Sequence, residues 1–215
     1  MIDSTPSSSR LQRTPKQIRG RQRVTAILQA CARLLICQGA SSLTMHGIAR
    51  EAGTSIGSLY HFFNDKQQVL EALGQCHVAA LSAIVEPLQA VDESHWQGLS
   101  SREVIEQMML PILEYLEQHP DLLQMINPGF ALGPLKAPDL QAQIHRAYER
   151  ILAVRMPQAS ALQRQAYGLA MLGLPIGLFQ RAQEHPQFKR ALLLEEVPRA
   201  LEAYLEAIER LHPQV

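Results

Sequence analysis

A chain of 215 residues with 47% hydrophobic side chains has ample material for a packed core, which excludes wholesale disorder. Its formal net charge is zero, and taken alone that argues against a polyanionic partner. The distribution of charge points the other way: residues 1–66 hold nine Lys/Arg against three Asp/Glu, a local +6, and the remainder carries −6.

In chain order, residues 1–15 read as a Ser/Arg-rich basic tail with no apolar leader segment. Thr14-Pro15 offers an N-cap followed by proline at the first helical position. Val24, Ile27, Leu28, Cys31, Leu34 and Leu35 then recur at three- and four-residue spacing, which predicts a helix over 16–38 ended by Gly39. Thr44 caps a second, two-turn helix that closes at Gly53, with Leu43 packing on Ile48. Thr54 or Ser55 caps a third helix through Phe62, and a long fourth helix runs over 66–90. Further helices are expected over 101–118, 121–127, 138–155, 160–184 and 189–211, separated by proline and glycine. No segment alternates like a strand, so the fold class is all-α.

Cys31, Cys37 and Cys76 form no CxxC pair, and this usage fits a reducing cytoplasm. The longest apolar run, Gly168–Phe179, contains Pro175 and is too short to span a bilayer. A soluble, cytoplasmic protein without a membrane partner is therefore expected. The eight histidines form no metal-ligand spacing and read as surface or capping residues. No HExxH, GxSxG or phosphate-binding loop is present, so neither a catalytic residue, a metal nor a cofactor is expected.

The informative stretch is 42–66. Two helices of two turns each cannot persist alone, so they must pack on the first helix, with Ile48, Leu59, Phe62 and Phe63 supplying the core. Ser55, Ile56, Gly57, Ser58, Tyr60 and His61 remain at the outer face of the third helix. In a helix-turn-helix the start of the second helix reaches base edges. Ile56 can meet a thymine methyl and Ser58 can hydrogen-bond a base. Thr44, Tyr60, His61 and Lys66 suit phosphates, and Thr54 completes the expected DNA face with Ser55. The third helix has no Arg or Lys for bidentate guanine recognition, so part of the specificity is expected from DNA shape. The preceding arm, Arg10, Arg13, Lys16 and Arg19, either reaches the DNA or is a solvated tail.

The pattern Thr44…Ile48-Ala49…Ala52-Gly53-Thr54-Ser55-x-Gly57-x-Leu59-Tyr60-x-Phe62-Phe63…Lys66…Leu70 resembles the DNA-binding domain of TetR-family transcriptional regulators over residues 16–75. The resemblance implies a helix-turn-helix domain (16–65) followed by a larger helical domain (66–215) that dimerises and binds a small-molecule effector. It implies a repressor on a palindromic double-stranded operator, with Ile56, Gly57 and Ser58 facing bases. Met108, Met109, Ile112, Tyr115, Met125, Phe130 and Tyr148 are the expected lining of an apolar effector pocket. Of the last two helices, one has Gly168, Gly173 and Gly177 as small positions for close approach, and the other carries the apolar seam Val197, Leu201, Tyr204, Leu205, Ile208 and Leu211. The two are expected to pair across a two-fold axis in a homodimer interface. An alternative of another class is a DNA-bound interaction module on the same fold, with no inducer.

Overall fold

A computed structural model describes residues 15–126 and 137–213, and among these residues every regular element is helical. Thr14, the tail arginines Arg10 and Arg13, and Phe130 lie outside the described residues. The elements are α1 (Pro15–Gln38), α2 (Met45–Glu51), α3 (Ile56–Phe62), α4 (Lys66–Val85), α5 (Glu93–Gly98), α6 (Ser101–Gln118), α7 (Pro120–Ile126), α8 (Pro138–Arg155), α9 (Ala161–Gly173) and α10 (Ile176–Glu184). A short α11 (Lys189–Ala191) passes through a π-helical turn (Leu192–Glu196) into α12 (Val197–Leu211).

The capping chemistry fixes the starts of the short helices. Thr44 Oγ1 accepts from the Gly47 amide at 3.0 Å, and Ser55 Oγ accepts from the Ser58 amide at 3.2 Å. Asp65 Oδ1 caps α4 through the Gln68 amide at 2.9 Å. Each such cap is worth about 1 kcal/mol, a large share of what a two-turn helix needs. Gly53 ends α2 at φ 63°, in the left-handed region where a side chain would be strained, and this reverses the chain into α3.

Buried side chains fall into two clusters. The amino-terminal one contains Ile27, Cys31, Leu35, Leu43, Ile48, Leu59, Phe63, Val69 and Leu70. Ile27, Ile48 and Leu59 are wholly buried, and each contributes roughly 1.5–3 kcal/mol by leaving water. Burial pushes the Cys31 thiol up to about 12, with the negative charge of Asp121 adding to the effect, so this cysteine is an inert core residue. The second, larger cluster joins Trp96 of α5, α6, Tyr148 and Ile151 of α8, Met171 of α9, and Leu201 and Leu205 of α12. Arg155 is buried among them. Its guanidinium donates to the carbonyls of Trp96 (2.8 Å) and Leu99 (2.7 Å) and to the Glu209 carboxylate, tying α5, α8 and α12 together.

Four expectations need correction. The helix expected over 160–184 is two helices, because Leu174 and Pro175 interrupt it and proline cannot continue the amide ladder. The fourth helix ends at Val85 and continues as a tight 3₁₀ turn over Glu86–Gln89, which contains Pro87. Helix α5 has no counterpart among the predicted helices: six residues are too few to show a period, yet they place Trp96 wholly inside the core. The seam of the last helix is not a free face, since Val197, Leu201, Leu205 and Ile208 are buried in the chain's own core against α6. Leu211 alone of that seam is well exposed, and Tyr204 is half-buried.

By length and composition the stretch Lys66–Gln89 is apolar enough to cross a membrane, a property that the longest apolar run does not reveal. In the fold its Val69, Leu70, Leu73, His77 and Val85 are buried against neighbouring helices.

Candidate nucleic-acid interface

Helix α3 lies across the amino-terminal cluster with Leu59 and Phe63 turned inward. With Leu59 committed to the core, the opposite side of a two-turn helix must face solvent. Ser55, Gly57, Tyr60 and His61 are exposed, and Thr54, Ile56 and Ser58 are half-buried. Tyr60 is 49% exposed, unusual for a large aromatic with no internal task. The His61 ring sits edge-on to Phe62 with centroids 5.1 Å apart. Thr44, exposed at the start of α2, flanks this surface while its hydroxyl oxygen serves as the cap.

Lys66 is anchored to the turn that precedes Thr44. Its Nζ donates to the carbonyls of Ala40 (3.4 Å) and Leu43 (3.3 Å), fastening the start of α4 to the turn before α2. Its charge reaches the surface only in part, because the side chain is half-buried.

Arg23 is a member of this surface that sequence reasoning misses. From α1 this exposed arginine reaches the recognition face, and its Nη1 donates to Ser58 Oγ at 3.2 Å. Arg19, one turn earlier on the same side of α1, is also exposed, as is Arg21. The spacing of Arg19 and Arg23 is readable in the chain, but the crossing of α1 beside α3 is not.

Glycine at position 57 has no internal reason. A Cβ built there would meet nothing within 4 Å, and the backbone is ordinary helix. A helix-interior glycine costs about 1 kcal/mol against alanine, so this residue weakens a short helix without serving the fold.

The residues expected to line an effector pocket do not form one group. Met108, Met109 and Tyr148 are buried together, with the Tyr148 hydroxyl donating to the Met109 sulfur. Burial drives the Tyr148 phenol far above its ordinary value. Ile112 and Tyr115 are half-buried at the edge of the same cluster. Met125 belongs to the amino-terminal cluster instead, because α7 packs on α1. A groove of about 260 Å³ between α6 and α12 is lined by Ile105, Leu110, Leu194, Arg102, Glu106 and Glu202, none of them in the expected set.

One histidine is buried, on the inner face that the apolar spacing of the fourth helix gives it. His77 of α4 is buried, with Nε2 2.9 Å from Asp121 Oδ2 and Nδ1 2.8 Å from the Tyr115 hydroxyl. An ionised carboxylate only accepts, so Nε2 carries the hydrogen, and in the neutral ring Nδ1 takes the Tyr115 O–H. His119 stacks obliquely on Tyr115, with centroids 4.1 Å apart.

Residues 27–73 match the family model described as bacterial regulatory proteins, tetR family. No curated protein matches the sequence. Among solved structures, a TetR transcription regulator from Haloarcula marismortui ATCC 43049 shares 14% identity over 87% of this chain and 98% of its own, with a TM-score of 0.61. A TetR-like transcriptional regulator from Rhodococcus sp. RHA1 shares 16% identity over 94% of this chain and 100% of its own, at a TM-score of 0.60. A TetR-family regulator from Streptomyces coelicolor shares 23% identity over 88% and 98%, at 0.55. Identities this low speak for the shared fold across the chain, while the match over 27–73 speaks for the helix-turn-helix itself. The stretch that holds α2 and α3 therefore matches the tetR family's model, and the chain as a whole shares the fold of these regulators.

Proposed function

We propose that the chain is a dimeric repressor whose residues 16–65 grip a palindromic operator and whose residues 66–215 sense a small hydrophobic or aromatic effector. Helix α3 enters the major groove, with Ile56, Gly57 and Ser58 against base edges and Thr54 and Ser55 beside them. Tyr60, His61 and Thr44 hold phosphates, and Lys66 supports the interface from behind by fixing the turn that carries Thr44. The observation that carries this reading is Gly57: the fold leaves its Cβ site open, so the glycine answers to a surface that approaches from outside. Exposed Arg19, Arg21 and Arg23 supply the local positive charge such a surface requires.

Of the two helical stretches expected at the dimer surface, it is α9 and α10 that carry it, since the seam of α12 is buried in the chain's own core. Leu162 (77% exposed), Leu169, Leu174 and Ile176 are large apolar residues left in solvent on this stretch, the kind of residue an interface covers. Leu169→Glu is expected to halve the molar mass in light scattering and to weaken operator binding with it. An unchanged dimer mass removes this surface from the proposal.

The reading without an inducer has one observation in its favour: Met108, Met109 and Tyr148 fill the body's core rather than line a space. Selection of duplexes from a randomised library, followed by a thermal-shift screen of small apolar and aromatic compounds, separates the two. A palindromic motif together with a compound that raises the melting temperature and releases the duplex supports the repressor with an effector. A motif with no such compound supports the interaction module, and no enriched motif overturns both.

A further inference from the structure

We infer that Arg23 of α1 is a sequence-reading residue, acting with Ser58 as one unit that recognises guanine in the major groove. The inference rests on the placement of α3 in DNA proposed above. It supplies what α3 lacks, since no Arg or Lys occurs between Ser55 and Phe63.

The bond between the two side chains sets their polarity. A guanidinium has N–H groups only, so in the 3.2 Å contact from Arg23 Nη1 the Ser58 oxygen must be the acceptor. A serine hydroxyl that accepts on one side is left to donate its own hydrogen on another. Among the described residues no acceptor takes that hydrogen, and the Ser58 amide, itself a donor, is separately held by Ser55 Oγ. Ser58 therefore faces outward as a donor. Arg23 is itself exposed, so further N–H groups of its planar fork stand beside that hydroxyl. The pair is a donor cluster.

Of the base edges in the major groove, guanine alone offers two adjacent acceptors, O6 and N7, with no donor between them. Adenine and cytosine each present an amino group, which would meet Arg23 and Ser58 donor to donor. Gly57 precedes Ser58 and has open space where a side chain would be, so a base edge can come within reach of both groups. Phosphate oxygens are acceptors too, and a phosphate contact is the competing outcome.

The test is duplex selection from a randomised library by the full-length protein, run in parallel for the native chain, Arg23→Ala, Arg23→Lys and Ser58→Ala, with thermal melts to establish folding. The native chain is expected to enrich a motif with guanine at one position of each half-site. Arg23→Ala and Ser58→Ala are expected to lose preference at that same position, by roughly 5- to 150-fold in discrimination, and to keep the rest of the motif. Arg23→Lys keeps the charge but not the fork, so it should lose the same preference. If Arg23→Ala weakens binding evenly and leaves every position's preference intact, the residue is a phosphate contact and the inference is wrong. If the native chain enriches nothing, the placement of α3 in DNA fails first.

Discussion

His77 Nε2 lies 2.9 Å from Asp121 Oδ2, with both side chains buried, and this pair joins α4 to α7. Four residues on from Asp121, Met125 of α7 reaches into the amino-terminal cluster, while Leu122 and Leu123 belong to the larger one. Any movement of α4 relative to α7 must therefore disturb a buried polar pair and the packing of both cores. The pair ties α4 to α7 where the two buried clusters meet.

Removing one member of such a pair leaves the other buried without its partner. Asp121→Ala is expected to cost about 3 kcal/mol in urea unfolding. Asp121→Asn keeps one acceptor for Nε2 and is expected to cost less. Equal stability of Asp121→Ala and the native chain would mean that the pair contributes nothing net.

Acid should destabilise the protein in two stages. Burial, helped by the neighbouring His77, lowers the His119 pKa, so the folded state disfavours the proton that the unfolded chain takes up near pH 6.5. Burial pulls the Asp121 carboxyl upward, but the hydrogen bond from His77 and the charges of His77 and His119 outweigh it, and its pKa falls below the usual range. A lowered histidine costs stability as pH drops below about 6.5, and a lowered aspartate costs stability as pH drops below about 4. Melting temperatures across that range should fall in both windows, and His119→Gln should flatten the upper one. A melting temperature that rises on acidification contradicts the assignment.

Gly57→Ala should separate folding from binding. The free protein is expected to gain about 0.5–1 kcal/mol, since the new methyl meets open space and the helix gains propensity. Affinity for a selected duplex is expected to fall, because the methyl stands where DNA approaches. Denaturant titration and fluorescence anisotropy measure the two effects on one sample, and a variant that gains stability and keeps its affinity leaves Gly57 unexplained.

Tyr60 and Lys66 are alike in sequence as candidates for the DNA backbone, and the structure separates them. Tyr60→Ala should leave the melting temperature almost unchanged, weaken all duplexes evenly and alter no base preference. Lys66→Ala should lower the melting temperature, because the carbonyls of Ala40 and Leu43 lose their donor. Its effect on binding then follows from a loosened Thr44. The two melts distinguish the roles.

The helices that position the interface are legible in the sequence because local chemistry sets them. Thr44, Ser55 and the Gly39 and Gly53 stops act within a few residues, so reading them needs no tertiary knowledge. The face of α3 follows from the inward pull of Leu59 and Phe63. What stays hidden depends on which helix crosses which. Arg23 is one charge among many until α1 passes beside Ser58. The α12 seam has the period of an interface helix and equally that of a core helix, and only α6 decides between them. The spacing of α4 puts His77 on its inner face, but its partners Tyr115 and Asp121 lie 38 and 44 residues away and are not readable from it. Met125 leaves the expected pocket for the same reason, since its neighbours on α1 are remote in sequence.

Side-chain oxidation footprinting of the full chain, with and without a duplex from the selected pool, addresses the central claim most directly. Tyr60 and His61 stand in solvent in the free protein and should be strongly protected at saturating duplex, while exposed Phe188, on the body, should keep its rate. Unchanged oxidation of Tyr60 and His61, with the protein fully bound, would contradict the account.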